Sequence, residues 1–75
     1  MKIIVKDIGA LNELVLKKGF TQRSFGREIE ISEAYCHQVL NGKRNPGPQI
    51  AKKISAKLDV DFDDIFFIDN ACKSA

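Results

Sequence analysis

The chain has 75 residues, enough for one domain that buries ~60% of its unfolded surface and too few for a core and a deep catalytic pocket together. With 44% apolar and 29% charged residues it is globular rather than disordered. The net charge is only +2, yet Lys17–Lys57 holds nine Lys/Arg against three Glu, and the rest holds three Lys against seven Asp/Glu. A basic centre with an acidic tail suits a protein that lays one face on phosphate; a solvated mixed surface is the plainer reading of the same charges.

The first segment, Met1–Lys6 (MKIIVK), is short and β-branched, and reads as a strand or an extended arm. It is far too short for a signal peptide or a membrane span. Asp7 to Lys18 reads as the first helix, started by Asp7 or Gly9, with Ile8, Leu11, Leu14 and Val15 as its buried stripe. Lys17 and Lys18 suit the negative end of its dipole. Gly19 supplies the left-handed residue beyond it, and Phe20 re-enters the core.

Thr21 to Asn45 is the stretch that the rest of the chain serves. Thr21 caps a second helix, from about Gln22 to Ile29, and Ser32 caps a third, from about Glu33 to Leu40. Glu33 in the first turn of the third suits the dipole there. Phe25, Gly26, Ile29, Ile31, Cys36, Val39 and Leu40 form the inward set, which fits helix, tight turn, helix. Gly26 lets another backbone pass close. Glu33, Ala34, Tyr35, His37, Gln38 and Asn41 remain outward, a short polar face of a size that fits a DNA major groove.

Asn41-Gly42 ends the third helix, and Pro46 and Pro48 fence the following loop. Pro48 opens a fourth helix, which buries Ile50, Ala51, Ile54 and Leu58 and leaves Lys52, Lys53 and Lys57 outside. Val60 and Phe62 follow. Asp61 or Asp63 caps a short fifth helix ending near Phe67. Ile65–Ile68 matches the N-terminal segment in character. The two either pair as strands, within one chain or between two, or Phe66 and Ile68 only close the core. Ala71 to Ala75 reads as a frayed tail. Cys36 is a small core residue and Cys72 lies in the tail; they share no metal-ligand spacing with each other or with His37. A reduced, cytoplasmic setting is expected.

Thr21-Gln22, Gly26, Ile31-Ser32 and Asn41-Gly42-Lys43-Arg44-Asn45-Pro46 stand where the Xre/Cro/cI-type helix-turn-helix repressors place such residues. The later IAKKISAKLDVDFDDIFF resembles that family's fourth helix, Leu-x-Val turn and short fifth helix. The resemblance spans roughly residues 7 to 67. It implies an all-α, four-to-five-helix bundle of the lambda-repressor-like type, with room for short extended segments at both ends. One domain is expected over residues 1–75, with a core at about 7–67 and the helix-turn-helix at about 21–41. One departure stands out. The family usually carries Gly where this chain has Glu30, because that residue often takes positive φ. A non-Gly residue there costs about 1 kcal/mol.

The resemblance also implies contacts. Gln22 would hydrogen-bond a phosphate, helped by the helix N-terminus. Glu33, Ala34 and Gln38 fall in register with base-reading positions. Gln38 would pair with adenine, Glu33 would accept from cytosine N4, and Ala34 would touch a thymine methyl. His37 lies on the same face and would make binding pH-sensitive if it met a phosphate. Lys43, Arg44 and Asn41 would hold the backbone across the groove, with Arg23, Ser32 and Tyr35 as further backbone contacts and Arg27 as a weaker candidate. Such contacts set affinity and salt dependence, not sequence choice.

The reading is therefore a sequence-specific regulator of double-stranded DNA, of repressor type, from a phage, mobile element or small operon. A palindromic operator and a homodimer, at least on DNA, go with it. The expected dimer surface is the fifth helix with the apolar Ile65–Ile68, with or without the N-terminal arm; a fifth helix folded onto its own core would instead leave a monomer that dimerises only on DNA. The alternative is an antitoxin-like module that docks a partner protein on that segment. An enzyme ranks far behind: there is no Ser/His/Asp set, phosphate loop or metal cluster, and no cofactor is expected.

Overall fold

Seven elements follow one another: β1 (Lys2–Val5), α1 (Ile8–Lys17), α2 (Gln22–Glu28), α3 (Glu33–Leu40), α4 (Pro48–Leu58), α5 (Phe62–Ile65) and β2 (Phe66–Asp69). They belong to a computed structural model that describes residues 2–70. The expectations for the tail, Cys72 included, lie outside the described residues.

Short polar side chains start the helices. Asp7 accepts from the Ala10 N–H at 3.1 Å, and Ser32 Oγ from the Tyr35 N–H at 3.1 Å. Thr21 Oγ1 accepts from the Ser24 N–H at 3.1 Å, and Ser24 Oγ accepts in return from the Thr21 N–H at 2.8 Å. Each bond satisfies a donor that the first turn leaves without an intrahelical partner. Pro48 opens α4, where a missing N–H costs nothing.

α1 to α4 all stop the same way. A residue of positive φ follows the last turn, and the next N–H reaches back five residues. The pairs are Phe20 N–H to Val15 O, Ile31 to Gly26, Lys43 to Gln38 and Val60 to Ser55, at 2.8–3.1 Å. The turning residues are Gly19 (φ 87°), Glu30 (φ 63°), Gly42 (φ 74°) and Asp59 (φ 59°). This is the Schellman closure, which occupies the orphan carbonyls. Glu30 holds the left-handed conformation expected of it.

The core joins Leu11 and Val15 of α1, Phe25 and Ile29 at α2, Cys36, Val39 and Leu40 of α3, Ala51, Ile54 and Leu58 of α4, then Ile65 and Phe66. Ile8, Leu14 and Ile50, expected inside, are half-buried at its rim. Ser55 is buried instead, its hydroxyl donating to the Lys52 carbonyl at 3.1 Å. Gly26 marks a close approach of α2 to α3: a Cβ there would stand 2.9 Å from Cys36 Cβ.

The all-α expectation needs correcting. Five helices form, but β1 and β2 pair antiparallel within one chain, with Val5 opposite Phe66 and Lys2 opposite Asp69. α5 stops at Ile65 rather than near Phe67 because Phe66–Asp69 continues as strand. The β-branched first segment supplies the edge that this strand pairs with. Ile3, Val5 and Phe66 turn toward the core, while Ile4 and Phe67 turn away. The expected dimer surface shrinks accordingly: Ile65 and Phe66 are buried, leaving Phe67 (43% exposed) and Ile68 (48% exposed).

Candidate nucleic-acid interface

The capped start of α3, its outward face and the loop behind it form one continuous polar surface. Glu33, Ala34 and His37 are exposed along α3, and Gln38 is half-buried beside them. Gln22, Arg23, Glu33, Ala34 and His37 line a surface depression of about 410 Å³ between the starts of α2 and α3. Three of the four expected base-facing residues, Glu33, Ala34 and His37, thus share one concavity with the expected phosphate contacts of α2, and Gln38 lies outside it.

Their side chains are already engaged with one another. Arg23 Nε meets the Glu33 carboxylate at 2.7 Å. Both groups are mostly exposed, so the pair contributes little stability, but it fixes a cation beside a carboxylate at the head of α3. At the other end Arg44 stacks over the Tyr35 ring, 4.8 Å from its centroid, and donates to Gln38 Oε1 at 3.3 Å. The Tyr35 hydroxyl accepts from the Gly47 N–H at 3.2 Å. Tyr35, half-buried, therefore ties the 42–47 loop to α3 and holds Arg44 close to Gln38. Lys43 is exposed at the tip of that loop. Ser32 is exposed as well as capping.

A chain of amides crosses the middle. Asn12 of α1 donates to the Leu40 carbonyl at 2.7 Å and to the Ile8 carbonyl at 2.9 Å. Its Oδ1 accepts from Gln22 Nε2 at 3.1 Å. Gln22 Oε1 lies 3.3 Å from His37 Nδ1, and Asn41 Nδ2 lies 3.2 Å from the same nitrogen while donating to the His37 carbonyl at 2.7 Å. Gln22, His37 and Asn41 were expected at the interface. Asn12 was not, and it carries one signal in the sequence: it is the polar residue inside the apolar stripe of α1.

The basic band divides. Arg23, Lys43 and Arg44 border α3. Lys57 pairs with Glu28 at 3.0 Å, and Lys53 donates to the Ile29 carbonyl at 3.4 Å, so both serve the far end of α2. Arg27 is exposed and, with Arg23, Ile31 and Glu33, lines a smaller recess of about 150 Å³. Cys36 sits on the buried side of α3, behind its outward polar face. Its thiol donates to the Gln22 carbonyl at 3.1 Å, and burial pushes its pKa up against an opposing backbone hydrogen bond at Gly26. Among the described residues no group of acidic, His and Cys side chains could hold a metal, and no helix is long and apolar enough to cross a membrane.

The sequence profile of the helix-turn-helix family matches residues 11–65. The chain is 43% identical over 54 residues to a protein named as the uncharacterized HTH-type transcriptional regulator YqaF of Bacillus subtilis (strain 168), covering 72% of this chain and 70% of that protein. It is 31% identical over 74 residues to one named as the uncharacterized HTH-type transcriptional regulator YvzC of the same strain, covering 99% of this chain and 82% of that protein. No solved structure matches the chain with significance.

Proposed function

The chain belongs to the Xre/Cro/cI-type helix-turn-helix family, and we propose that it is a sequence-specific double-stranded DNA-binding transcriptional regulator, of repressor type, acting in the cytoplasm. One observation carries the reading. The exposed polar face of α3 lies between two sets of cations, Arg23 at its start and Lys43 with Arg44 behind its end. That is the layout of base readers held in register by phosphate contacts. Glu33, Ala34, His37 and Gln38 read base edges. Gln22, Arg23, Ser32, Tyr35, Asn41, Lys43 and Arg44 hold the backbone. A single domain reads about four or five base pairs, so a palindromic operator and two copies follow, with half-sites one helical turn apart.

Selection of duplexes from a random pool, then salt titration on the winner and on a scrambled duplex, tests this. Preference for the winner of ~10³-fold or more supports the reading; weak and equal binding to both sinks it. Two substitutions sharpen the result. Lys43→Ala should weaken both duplexes alike and reduce the salt slope by about one. Gln38→Ala should relax selection at one position and cost about 1–3 kcal/mol there.

A second reading is an antitoxin-like protein-interaction module on the same fold. What favours it is the exposure of Phe67 and Ile68, together with an apolar groove of about 500 Å³ whose walls include Ile3, Pro46, Phe62 and Ile68. A partner protein that binds tightly while random duplexes show no enrichment would put this reading first.

A further inference from the structure

Asn12 lies on α1, outside the helix-turn-helix, yet it is bonded to both of its helices. Both hydrogens of its side-chain amide are committed to backbone carbonyls: Ile8 O within α1 and Leu40 O at the end of α3. Leu40 O is one of the carbonyls that a helix C-terminus leaves without an intrahelical partner. With Nδ2 so committed, the atom that Asn12 turns toward Gln22 has to be Oδ1, and Oδ1 only accepts. Gln22 must then present Nε2 to it, as it does at 3.1 Å, and its own oxygen faces His37 Nδ1 at 3.3 Å. One amide on α1 thereby decides which way the Gln22 amide points. The second Nε2 hydrogen of Gln22 stays available at the start of α2.

We infer that Asn12 is a positioning residue for DNA binding: it orients the Gln22 amide so that an N–H is offered to a non-bridging phosphate oxygen, and ties that donor to the end of the reading helix. The inference rests on the DNA-binding reading above and adds a residue that touches no DNA. Its physical basis is pre-organisation. An amide held by a hydrogen bond, in a rotamer fixed before binding, loses less freedom when it meets phosphate.

The test is a double-mutant cycle of Asn12→Ser and Gln22→Ala, with Kd for the selected duplex and Tm measured for all four proteins. Serine is chosen because it can bond back to the carbonyl four residues earlier but is too short to reach Gln22. Gln22→Ala should weaken binding by about tenfold, as expected for one hydrogen bond to a charged group. Asn12→Ser should cost a similar factor, and the double variant should bind no more weakly than Gln22→Ala alone. The Tm loss of Asn12→Ser, by contrast, should persist in the Gln22→Ala background. Losses that multiply to about a hundredfold, or an unchanged Kd for Asn12→Ser, overturn the inference.

A second measurement needs neither DNA nor a variant. The side-chain amide of Gln22 should show a high NMR order parameter in the free protein, against the exposed Gln49 as internal reference. Gln22 as mobile as Gln49 overturns the positioning role. If the wild-type protein shows no duplex preference while Gln22 is ordered, the DNA reading fails and the orientation by Asn12 stands on its own.

Discussion

Gly26 shows how one atom sets the geometry of α2 against α3. α2 and α3 pack so closely that an added Cβ would lie 2.9 Å from Cys36 Cβ and 3.1 Å from Cys36 Sγ. The first contact is between atoms rooted in two backbones, so no rotamer change relieves it. Gly26→Ala should therefore destabilise the protein by about 1–3 kcal/mol through overpacking, outweighing the small gain in helix propensity. For a domain this size that is a Tm fall of roughly 5–20 °C, readable by circular dichroism. A Tm equal to or above the wild type would mean that the helices separate easily at this point. Glycine at residue 26 was legible in the sequence as a close approach; what it approaches was not. Asn12 is the opposite case. Its place as a polar residue in the apolar stripe of α1 was visible, but its bond to Leu40 spans 28 positions, and nothing local to Asn12 names that partner.

At the scale of elements, four helices end in the same closure and differ only in the residue that makes the left-handed turn. The comparison isolates the cost of a side chain at positive φ. Gly19 and Gly42 adopt it freely. Asp59 tolerates it, because a short polar side chain can bond locally, whereas Glu30 has no such relief. Glu30→Gly should raise stability by about 1 kcal/mol, and Asp59→Gly by less, both measured as the urea midpoint at unchanged m-value. A gain at Asp59 equal to or larger than that at Glu30 would show that strain at the turn does not depend on the side chain in this way. The stops at Gly19, Glu30 and Gly42, with the caps at Thr21 and Ser32, were legible because a few neighbouring residues decide them; the left-handed turn at Asp59 was not, since its residue type does not demand positive φ. The β1–β2 pairing was left open because its partners lie more than sixty positions apart, from Val5↔Phe66 to Lys2↔Asp69. No local pattern tells a strand that finds its partner in the same chain from one that finds it in another. The reciprocal bond of Ser24 to Thr21 was missed for a smaller reason: the box is usually completed by Glu or Gln.

The whole molecule is asymmetric in charge, and that orients it. Asp59, Asp61, Asp63 and Asp64 cluster around α5, while Arg23, Lys43 and Arg44 border α3. The acidic end is repelled by phosphate and the basic face drawn to it, so encounters with a duplex would be biased toward the α3 face, more strongly at low salt. The sheet and the apolar groove adjoin this face through Asn45–Pro48, the loop that continues from Lys43 and Arg44. Ile68 lines that groove and Phe67 lies on the opposite face of the sheet, so a second copy that contacts the β2 segment from either face would sit beside the α3 surface. Both side chains are substantially exposed, so replacing both with Ser should leave the fold intact and shift Tm little. If the patch joins two copies on a palindrome, the double variant should still bind an isolated half-site as the wild type does. It should also lose the cooperative step on the full operator, with one protein rather than two co-sedimenting per duplex at low protein excess. Equal cooperativity in wild type and variant would remove Phe67 and Ile68 from the dimer contact. A matching loss on half-site and full operator would instead mean that Ile68 supports the α3 face of its own chain, through the groove wall it shares with Pro46.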